Sequence, residues 1–478
     1  MSQSREAEVI AGLVAKARAA QTIADGYDQA GADRLVAAAA WAIMEPVRNR
    51  ALAELAVRDT GLGNVPDKIQ KNHRKTLGLI RDLSGAKSVG VIADDAALGV
   101  TEIARPAGVV GAITPSTNPG ATPANMIINA MKGRNAIILA PSPKGYSTAA
   151  LLLSYVHEEF DRIGAPRDLV QLLPAPVNKA LTNELLQQVD LVVATGSQAN
   201  IKAAYSSGTP AFGVGAGNVS VIVHRSADLA AAAERIVRSK TFDNATSCSS
   251  ENSVVIEAAV YQPMLAALAA QGCVLLSGDE KAQLQAALFP AGKLSGDLTA
   301  KTAGDIALAA GLARAANARV LMVEESGVGP EFPFSGEKLS PVLTVYRADG
   351  FDAAAAQVAA IYSHQGAGHS VGLHAAPEAA DALALQLGLT LPVARVIVNQ
   401  AHCIATGGSF DNGLPFSLSM GCGTWGGNSF SENLGYRHFL NITRIARPIA
   451  PRNASADALL GAYLAETGRN GAAFSLKP

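Results

Sequence analysis

The feature that most constrains this chain's fold is the alternation of short apolar runs with helix-type segments. AGVVGAI at 107–113 precedes TPANMIINAMKGR at 122–134, and NAIILAP at 135–141 precedes STAALLLSYVHEEFDRIG at 147–164. Strand-type and helix-type segments at this spacing are typical of a parallel sheet covered by helices. We therefore predict an α/β fold, preceded by an Ala- and Leu-rich helical region over residues 1–85.

The alternation continues through the second half of the chain. VSVIVH, ENSVVIE, RVLMVEE, SPVLTVYRA and SVGLHA are strand-type runs with helix-type segments between them. Because 478 residues exceed what one ordinary core accommodates, we predict two α/β domains with a boundary near residue 240. The glycine-rich segment 405–435 is predicted to be a loop that packs against another part of the molecule.

Composition excludes several function classes. The formal net charge is −1, so no basic excess would attract nucleic acid or a membrane surface. No apolar run reaches the ~18–20 residues of a spanning helix, and the N-terminal segment has no secretion-signal pattern. The four cysteines are widely spaced, which predicts neither a disulfide framework nor a metal site. A cytoplasmic protein is the expectation.

The segment KTFDNATSCSSEN at 240–252 surrounds Cys248 with small hydroxyl residues. One interpretation is a half-buried thiol in a tight turn, since free cysteines usually behave as small hydrophobes. The other is a nucleophile, because small neighbours would leave room for reactants around the sulfur. The segment alone leaves both interpretations open.

Three further segments combine polar residues with an expected strand end. The turn TGS at 195–197 follows the strand DLVVA, where a helix N-terminus could offer N–H groups to phosphate. Asn118 lies in TPSTNPG, after a strand and before a helix, where an Asx turn is the simpler interpretation. His364 and His369 share the loop YSHQGAGHS, and a loop histidine is more often structural than catalytic.

These segments, taken together and in order, resemble the motif series of the aldehyde dehydrogenase superfamily. The resemblance is carried by TNPGATPANMIINAMKGRNAIILAPSP, VATGSQANIKAAYSSGTPAFGVGAGN, SKTFDNATSCSSENSVVI, GEKLSPVLTVY and GCGTWGGNSFSEN. Within the superfamily the chain is most similar to the coenzyme A-acylating branch, which includes the aldehyde dehydrogenase half of the bifunctional aldehyde–alcohol dehydrogenases. RDTGLGNVPDKIQKN at 58–72 fits that branch too, and we expect no alcohol dehydrogenase half.

The resemblance implies catalytic roles for three residues. Cys248 matches the nucleophile that adds to the aldehyde. Asn118 matches the amide that, with the backbone N–H of Cys248, stabilises the resulting alkoxide. His369 matches a histidine found near the thiol in acylating members.

The resemblance also implies a fold with three parts. These are a Rossmann-type cofactor-binding domain over residues 1–239, a catalytic domain over 240–434, and a small oligomerisation arm built from 88–106 and 435–478. The residues implied to bind a nicotinamide cofactor are Thr195, Gly196, Ser197, Gly215 and Glu337. The arm implies a homodimer or homotetramer.

Two departures from the superfamily pattern bear on the reaction. Hydrolytic members carry a water-activating glutamate where this chain is matched at Gly213, and glycine cannot act as a general base. The missing base favours coenzyme A, itself a thiol, as the acyl acceptor. The second departure is Ala140, which replaces a cofactor-contacting lysine, so NAD and NADP both stay open.

Short aldehydes are the implied substrates, with coenzyme A as co-substrate. Segment 116–145 is most similar to acylating dehydrogenases of sulfoacetaldehyde, which makes this aldehyde the favoured one; acetaldehyde, propanal and succinate semialdehyde stay open. One alternative is an aldehyde dehydrogenase that releases the free acid with a base supplied from elsewhere. Another is a binding or shell-associated protein that has lost catalysis.

Overall fold

The computed structural model describes residues 4–469 and consists of helices and mostly parallel strands. The helices are α1 (Arg5–Asp25), α2 (Gln29–Met44), α3 (Pro46–Thr60), α4 (Val65–Leu83), α5 (Ala121–Lys132), α6 (Tyr146–Ile163), α7 (Lys179–Gln188), α8 (Gln198–Tyr205), α9 (Leu229–Thr241), α10 (Tyr261–Ala270), α11 (Gly278–Leu288), α12 (Ala303–Ala309), α13 (Phe351–His364), α14 (Pro377–Thr390), α15 (His402–Ala405) and α16 (Ala456–Glu466). The strands are β1 (Gly90–Asp95), β2 (Val100–Pro106), β3 (Val109–Thr114), β4 (Ala136–Pro141), β5 (Val170–Leu172), β6 (Leu191–Thr195), β7 (Ala211–Val214), β8 (Val219–Val223), β9 (Glu251–Glu257), β10 (Cys273–Leu275), β11 (Val320–Glu324), β12 (Val342–Ala348), β13 (Val371–His374), β14 (Val396–Val398) and β15 (Leu440–Ala446).

The first sheet is parallel, with strand order β5-β4-β3-β6-β7. β3 and β4 are buried along their whole length, which explains why their sequences are continuous apolar runs. The chain leaves β3 toward β4 and β5 on one side and returns to β6 on the other. This reversal of strand order creates a crevice at the carboxyl ends of β3 and β6, a usual place for a ligand.

Helices α1, α2, α5 and α6 pack around the first sheet and complete its core. α2 is rich in alanine, and its buried face includes Leu35 and Ile43. Small alanine side chains let α2 lie close against α5 and α6. The predicted helical region therefore serves as one layer of the first domain.

The second sheet is also parallel, with strand order β10-β11-β12-β9-β8-β13-β14. Its outer layers are formed by helices such as α9 and α10 on one face and α13 and α14 on the other. β8 belongs to this sheet and α9 packs against it, although both precede the domain boundary that the sequence predicts near residue 240. The change of sheet occurs between Val214 and Val219, because β8 pairs with β9 and β13.

A third, antiparallel sheet joins two distant segments of the chain. β2 pairs with β1 on one side and with β15 on the other, with Ala104 opposite Ile442. These strands fall within 88–106 and 435–478, the segments that the sequence assigns to one arm. The predicted tail residues 470–478 lie outside the described residues, and the role of the arm in assembly stays a prediction.

A cavity lies between the two parallel sheets, which border it with opposite ends of their strands. The first sheet contributes the carboxyl ends of β3, β4, β6 and β7, whereas the second contributes the segments directly before β8, β9 and β12. The glycine-rich segment 405–435 is mainly loop, as predicted, and closes part of the cavity. Over residues 4–469, no helix combines the length and the apolar character needed to cross a bilayer.

Candidate active site

The cavity between the two sheets, hereafter the site cavity, has a volume of about 390 Å³. It brings together most of the residues that the sequence predicts as functional. Those that line it are Asn118, Thr195, Gly196, Ser197, Gly215, Cys248 and Glu337. His369 is fully buried behind the cavity wall and reaches Cys248 from there.

Cys248 lies in a loop that begins with an unusual backbone turn. Asp243, Asn244 and Ala245 all have positive φ, between 50° and 60°. Non-glycine residues rarely adopt this left-handed conformation, so such a turn persists only where surrounding contacts hold it. The loop connects α9 to β9 and carries the thiol into the site cavity.

The carboxylate of Asp243 holds this turn against α4. It accepts hydrogen bonds from the Asn64 backbone N–H at 2.9 Å and from the ammonium groups of Lys68 at 3.0 Å and Lys71 at 2.5 Å. Gly63 allows the close approach, since a Cβ there would lie 1.9 Å from Asp243 Oδ1. The segment 58–72, noted in the sequence only as part of the resemblance, thus positions the cysteine loop.

Asn118 presents its amide N–H groups to the site cavity because Lys71 fixes the other end of the amide. Lys71 Nζ lies 2.8 Å from Asn118 Oδ1 and 3.0 Å from Thr246 Oγ1. A lysine ammonium can only donate, so the atom facing it must be the amide oxygen. Nδ2 makes no hydrogen bond within residues 4–469 and is left as a donor.

The thiol of Cys248 stands at the end of a chain of polar side chains. Cys248 Sγ is 3.4 Å from His369 Nε2, and His369 Nδ1 is 2.7 Å from Ser370 Oγ. Ser370 Oγ is also 2.8 Å from Nε2 of His402, a buried histidine at the start of α15. A hydroxyl has one proton, so Ser370 donates to one imidazole and accepts from the other. The bonding state of His402 therefore influences which nitrogen of His369 is free to accept the thiol proton.

Burial disfavours the charged forms of both members of the thiol–imidazole pair, as the pKa shifts of Cys248 and His369 show. Burial raises the pKa of Cys248 above its ordinary range, and the nearby Glu337 carboxyl contributes in the same direction. Burial also lowers the pKa of His369 to about 3, with a further contribution from the Arg395 guanidinium. Burial therefore does not stabilise a resting thiolate here, and His369 Nε2, 3.4 Å from Sγ, is within reach of the thiol proton.

One wall of the site cavity, hereafter the turn wall, consists of the turn 195–197 with Gly215 and Ala216. Ser197 caps α8, and its Oγ accepts from the Asn200 N–H. At the adjacent strand ends, Thr114 Oγ1 and Ser142 Oγ are buried without a hydrogen-bond partner within residues 4–469. Unpartnered hydroxyls and a helix N-terminus fit the ribose and phosphate groups of a nicotinamide cofactor.

Glu337 borders the turn wall and is the one carboxyl group among the residues lining the site cavity. The Gly217 N–H donates to its Oε1 at 3.3 Å. Burial raises the pKa of Glu337 to about 8, although this backbone bond and the Lys240 charge act to lower it. A carboxyl group so placed can accept hydrogen bonds from ribose hydroxyls, as the resemblance implies.

The match of Gly213 to the water-activating glutamate, which the resemblance implies, stays a prediction. Gly213 lies within β7 and is not part of the cavity lining. A Cβ at this position would meet Ile201 at 2.9 Å and Tyr205 at 3.0 Å, so a side chain would point at α8. Strand residues alternate between faces, and a shift of one residue reverses the direction. The case for a missing base therefore depends on the cavity lining, in which Glu337 is the one carboxyl.

The remaining cysteines lie at different distances from the site. Cys273 is buried at β10, as expected for a structural thiol. Cys403 lines the site cavity, but its thiol donates to the Ser239 carbonyl at 3.1 Å. Burial raises the pKa of both Cys403 and Cys422 to about 11.

Several residues that shape the site are not evident from the sequence. They are Lys71, Lys75, Asp243, Ser370 and His402. Lys68, Lys71 and Lys75 follow the three- and four-residue spacing of one helix face, which was the available signal. Lysines at this spacing usually form a solvated face, and only the structure shows that these three are buried.

Comparison with known proteins places the fold and the site in context. The sequence model of the aldehyde dehydrogenase family matches residues 2–287. The chain is 66% identical to a sulfoacetaldehyde dehydrogenase (acylating) of Cupriavidus necator over 465 residues, covering 97% of this chain and 94% of that protein. It is 35% identical to a bifunctional aldehyde-alcohol dehydrogenase of Escherichia coli, covering 91% of this chain and 49% of that protein.

Solved structures agree with these sequence matches. An acetylating aldehyde dehydrogenase from Geobacillus thermoglucosidasius superimposes with a TM-score of 0.89 at 35% identity. The match covers 94% of this chain and 99% of that one. The resemblance and the fold class predicted from the motifs are thereby confirmed.

Proposed function

The chain belongs to the aldehyde dehydrogenase family, and from this premise we propose that it converts sulfoacetaldehyde, coenzyme A and NAD(P)+ to the acyl-CoA and NAD(P)H. It is a coenzyme A-acylating dehydrogenase. One observation supports the proposed active site most strongly. Cys248 and Asn118 line the same cavity between the two sheets, and His369 contacts Cys248 from behind the cavity wall.

Addition to the aldehyde is the first step of the proposed reaction. His369 Nε2 accepts the thiol proton while Cys248 Sγ forms a bond to the carbonyl carbon. Negative charge develops on the carbonyl oxygen, and Asn118 Nδ2 with the Cys248 backbone N–H donates to it. Such preorganised donors stabilise the alkoxide without reorganisation.

Oxidation then leaves the acyl group on Cys248 as a thioester. The bound nicotinamide supplies the hydride-accepting chemistry. The turn 195–197 holds the cofactor phosphates, while Glu337 accepts hydrogen bonds from the ribose. Thr114 and Ser142 contribute hydroxyls that have no other partner within residues 4–469.

The acyl group is transferred to coenzyme A rather than to water. The thiol of coenzyme A attacks the thioester carbon, and Cys248 leaves and recovers a proton. Hydrolysis would need a base, and the one carboxyl in the cavity lining, Glu337, is occupied with the Gly217 N–H and the proposed ribose contact. General-base help is worth about 10²–10⁴ in rate, so water is at a disadvantage.

An aldehyde panel tests this assignment. Sulfoacetaldehyde, acetaldehyde, propanal and succinate semialdehyde are each assayed with coenzyme A and with NAD or NADP, and the products are identified by mass. We expect sulfoacetaldehyde to give the highest kcat/KM and an acyl-CoA product. A free acid as the main product, or no preference for sulfoacetaldehyde, would contradict the proposal.

We further propose that the protein works in the cytoplasm as a homodimer or homotetramer. Exposed apolar side chains on the arm and on α16, including Ile445, Leu459 and Tyr463, support an assembly that covers them. Light scattering on the purified full chain measures the assembly directly. A monomer at micromolar concentration would contradict it.

A further inference from the structure

Lys75 is a buried ammonium group on α4 that lines the site cavity without a carboxylate partner. Its side chain donates to the carbonyl oxygens of Gly407 at 2.6 Å and Gly408 at 3.3 Å. No carboxylate lies within salt-bridge distance of it in the part of the chain that the structure describes. An ammonium has three N–H donors, so one remains for a further acceptor.

Within residues 4–469, three other buried lysines pair with a carboxylate, whereas Lys75 does not. Lys68 and Lys71 share the carboxylate of Asp243, whereas Lys132, buried elsewhere, pairs with Asp33 at 2.6 Å. Lys75 differs from these three lysines because no carboxylate pairs with it among residues 4–469. An uncompensated buried cation is costly unless a counter-charge reaches it.

A counter-charge for Lys75 can enter from the site cavity, which this residue lines. Among the residues lining the site cavity, Lys75 is the single lysine or arginine. The one carboxyl there, Glu337, has its pKa raised to about 8 by burial and is largely neutral near pH 7. Burial likewise lowers the pKa of Lys75 well below its ordinary value, so an anion that enters the cavity would restore its charge.

We propose that Lys75 binds the sulfonate of the aldehyde substrate and determines the preference for an anionic aldehyde. This inference rests on the proposed function and names the residue that recognises the substrate's charge. In sulfoacetaldehyde the sulfonate is separated from the carbonyl carbon by a single CH₂ group. When the carbonyl lies between Cys248 and Asn118, the sulfonate must therefore occupy the same cavity, which Lys75 lines with Thr246 and Cys403.

A purely structural role for Lys75 is the competing explanation. Its two bonds fix the backbone at Gly407 and Gly408, and a Cβ on Gly407 would lie 2.7 Å from Nζ. Lys338 provides a matched control because it is also buried and donates to two carbonyls, those of Phe334 and Gly336, at 2.6 Å and 2.9 Å. Lys338 does not line the site cavity.

The first test compares charged and neutral aldehydes. In Lys75→Met we expect kcat/KM for sulfoacetaldehyde to fall by about 10²-fold, mainly through KM, while propanal changes only a few-fold. Lys338→Met should alter both aldehydes by the same factor. Lys75→Gln keeps N–H donors for the two carbonyls without the charge, and serves if the methionine variant does not fold. Equal losses for both aldehydes in the Lys75 variants would overturn the inference.

The second test needs no turnover. Ethanesulfonate should protect Cys248 of the wild-type protein from alkylation by iodoacetamide, whereas the neutral ethyl methyl sulfone should not. Protection should disappear in Lys75→Gln and persist in Lys338→Met. Protection that persists without Lys75 would overturn the inference. If the wild type protects in this Lys75-dependent way yet does not oxidise sulfoacetaldehyde, the anion subsite stands and the proposed substrate is wrong.

Discussion

Two parts of the site-cavity lining differ in the chemical groups that they present. The turn wall consists of the turn 195–197 with Gly215 and Ala216, and the hydroxyls of Thr114 and Ser142 and one carboxyl group lie beside it. A second part of the lining, hereafter the helix wall, consists of Asn118, Thr246 and Lys75, and Lys71 of α4 bonds to the first two. The contrast suggests a division of labour in which backbone groups receive a cofactor and fixed charges control the aldehyde.

Cys248 is the nucleophile of the proposed reaction, so its loss should have the largest effect. Cys248→Ala removes the atom that carries the acyl group and should abolish aldehyde oxidation with every cofactor. Cofactor binding, followed by NAD(P)H fluorescence, should persist because the turn wall is unchanged. Cys403, the other cysteine in the cavity lining, and Cys422 are the alternative nucleophiles, and appreciable activity in Cys248→Ala would assign the role to one of them.

Removing Asn118 should damage the helix wall alone. Asn118→Ala deletes the donor that Lys71 orients, and we expect kcat to fall by about 10²–10³. The dissociation constant of the cofactor should stay within a few-fold of the wild type. A normal kcat in a well-folded variant would refute the oxyanion role, and a large loss of cofactor affinity would refute the separation of the two walls.

Ser370 supports His369 from behind and should have a smaller effect. Ser370→Ala removes the hydroxyl that joins His369 to His402, and we expect about a tenfold loss in kcat with little change in KM. Ser370→Thr keeps the hydroxyl and should recover most of the rate. A threonine variant as slow as the alanine variant would show that packing, not hydrogen bonding, is what Ser370 provides.

A change at Glu337 should have the smallest effect on the rate. It should alter the KM for cofactor rather than kcat, because Glu337 borders the turn wall. Its pKa is raised to about 8, so below this pH the carboxyl is protonated and accepts ribose hydrogen bonds poorly. Cofactor binding should then release a proton, and the KM for cofactor should fall as pH rises toward 8, by less than about tenfold per pH unit. Glu337→Gln should make this KM independent of pH between 6.5 and 8.5. A wild-type KM without pH dependence would contradict the assignment.

The turn wall is the more predictable of the two because its signals are local. The TGS turn directly follows a strand and precedes a helix in the sequence. Asn118 likewise lies between β3 and α5. The apolar runs likewise predict most strands of both large sheets. They do not specify which sheet a strand joins, which explains why β8 pairs with β9 although it precedes the predicted boundary near residue 240.

The helix wall depends on contacts between distant parts of the chain. Lys71 bonds to Asp243 and Lys75 bonds to Gly407, and the sequence of α4 predicts neither partner. The helix carries lysines that in isolation would be expected in water, and burial against the cysteine loop reverses that expectation. Gly213 shows the same difficulty on a smaller scale, since the direction of a strand side chain depends on pairing as well as on sequence.

The most direct test of the proposed reaction follows NAD(P)H formation in a stopped-flow instrument, with and without coenzyme A. Without coenzyme A, the account predicts a single burst that does not exceed the concentration of active sites, because the thioester on Cys248 has no efficient acceptor. With coenzyme A, it predicts continuous turnover and an acyl-CoA product identified by mass. Continuous turnover to the free acid in the absence of coenzyme A would contradict the account and would make Glu337 the first candidate for the hydrolytic base.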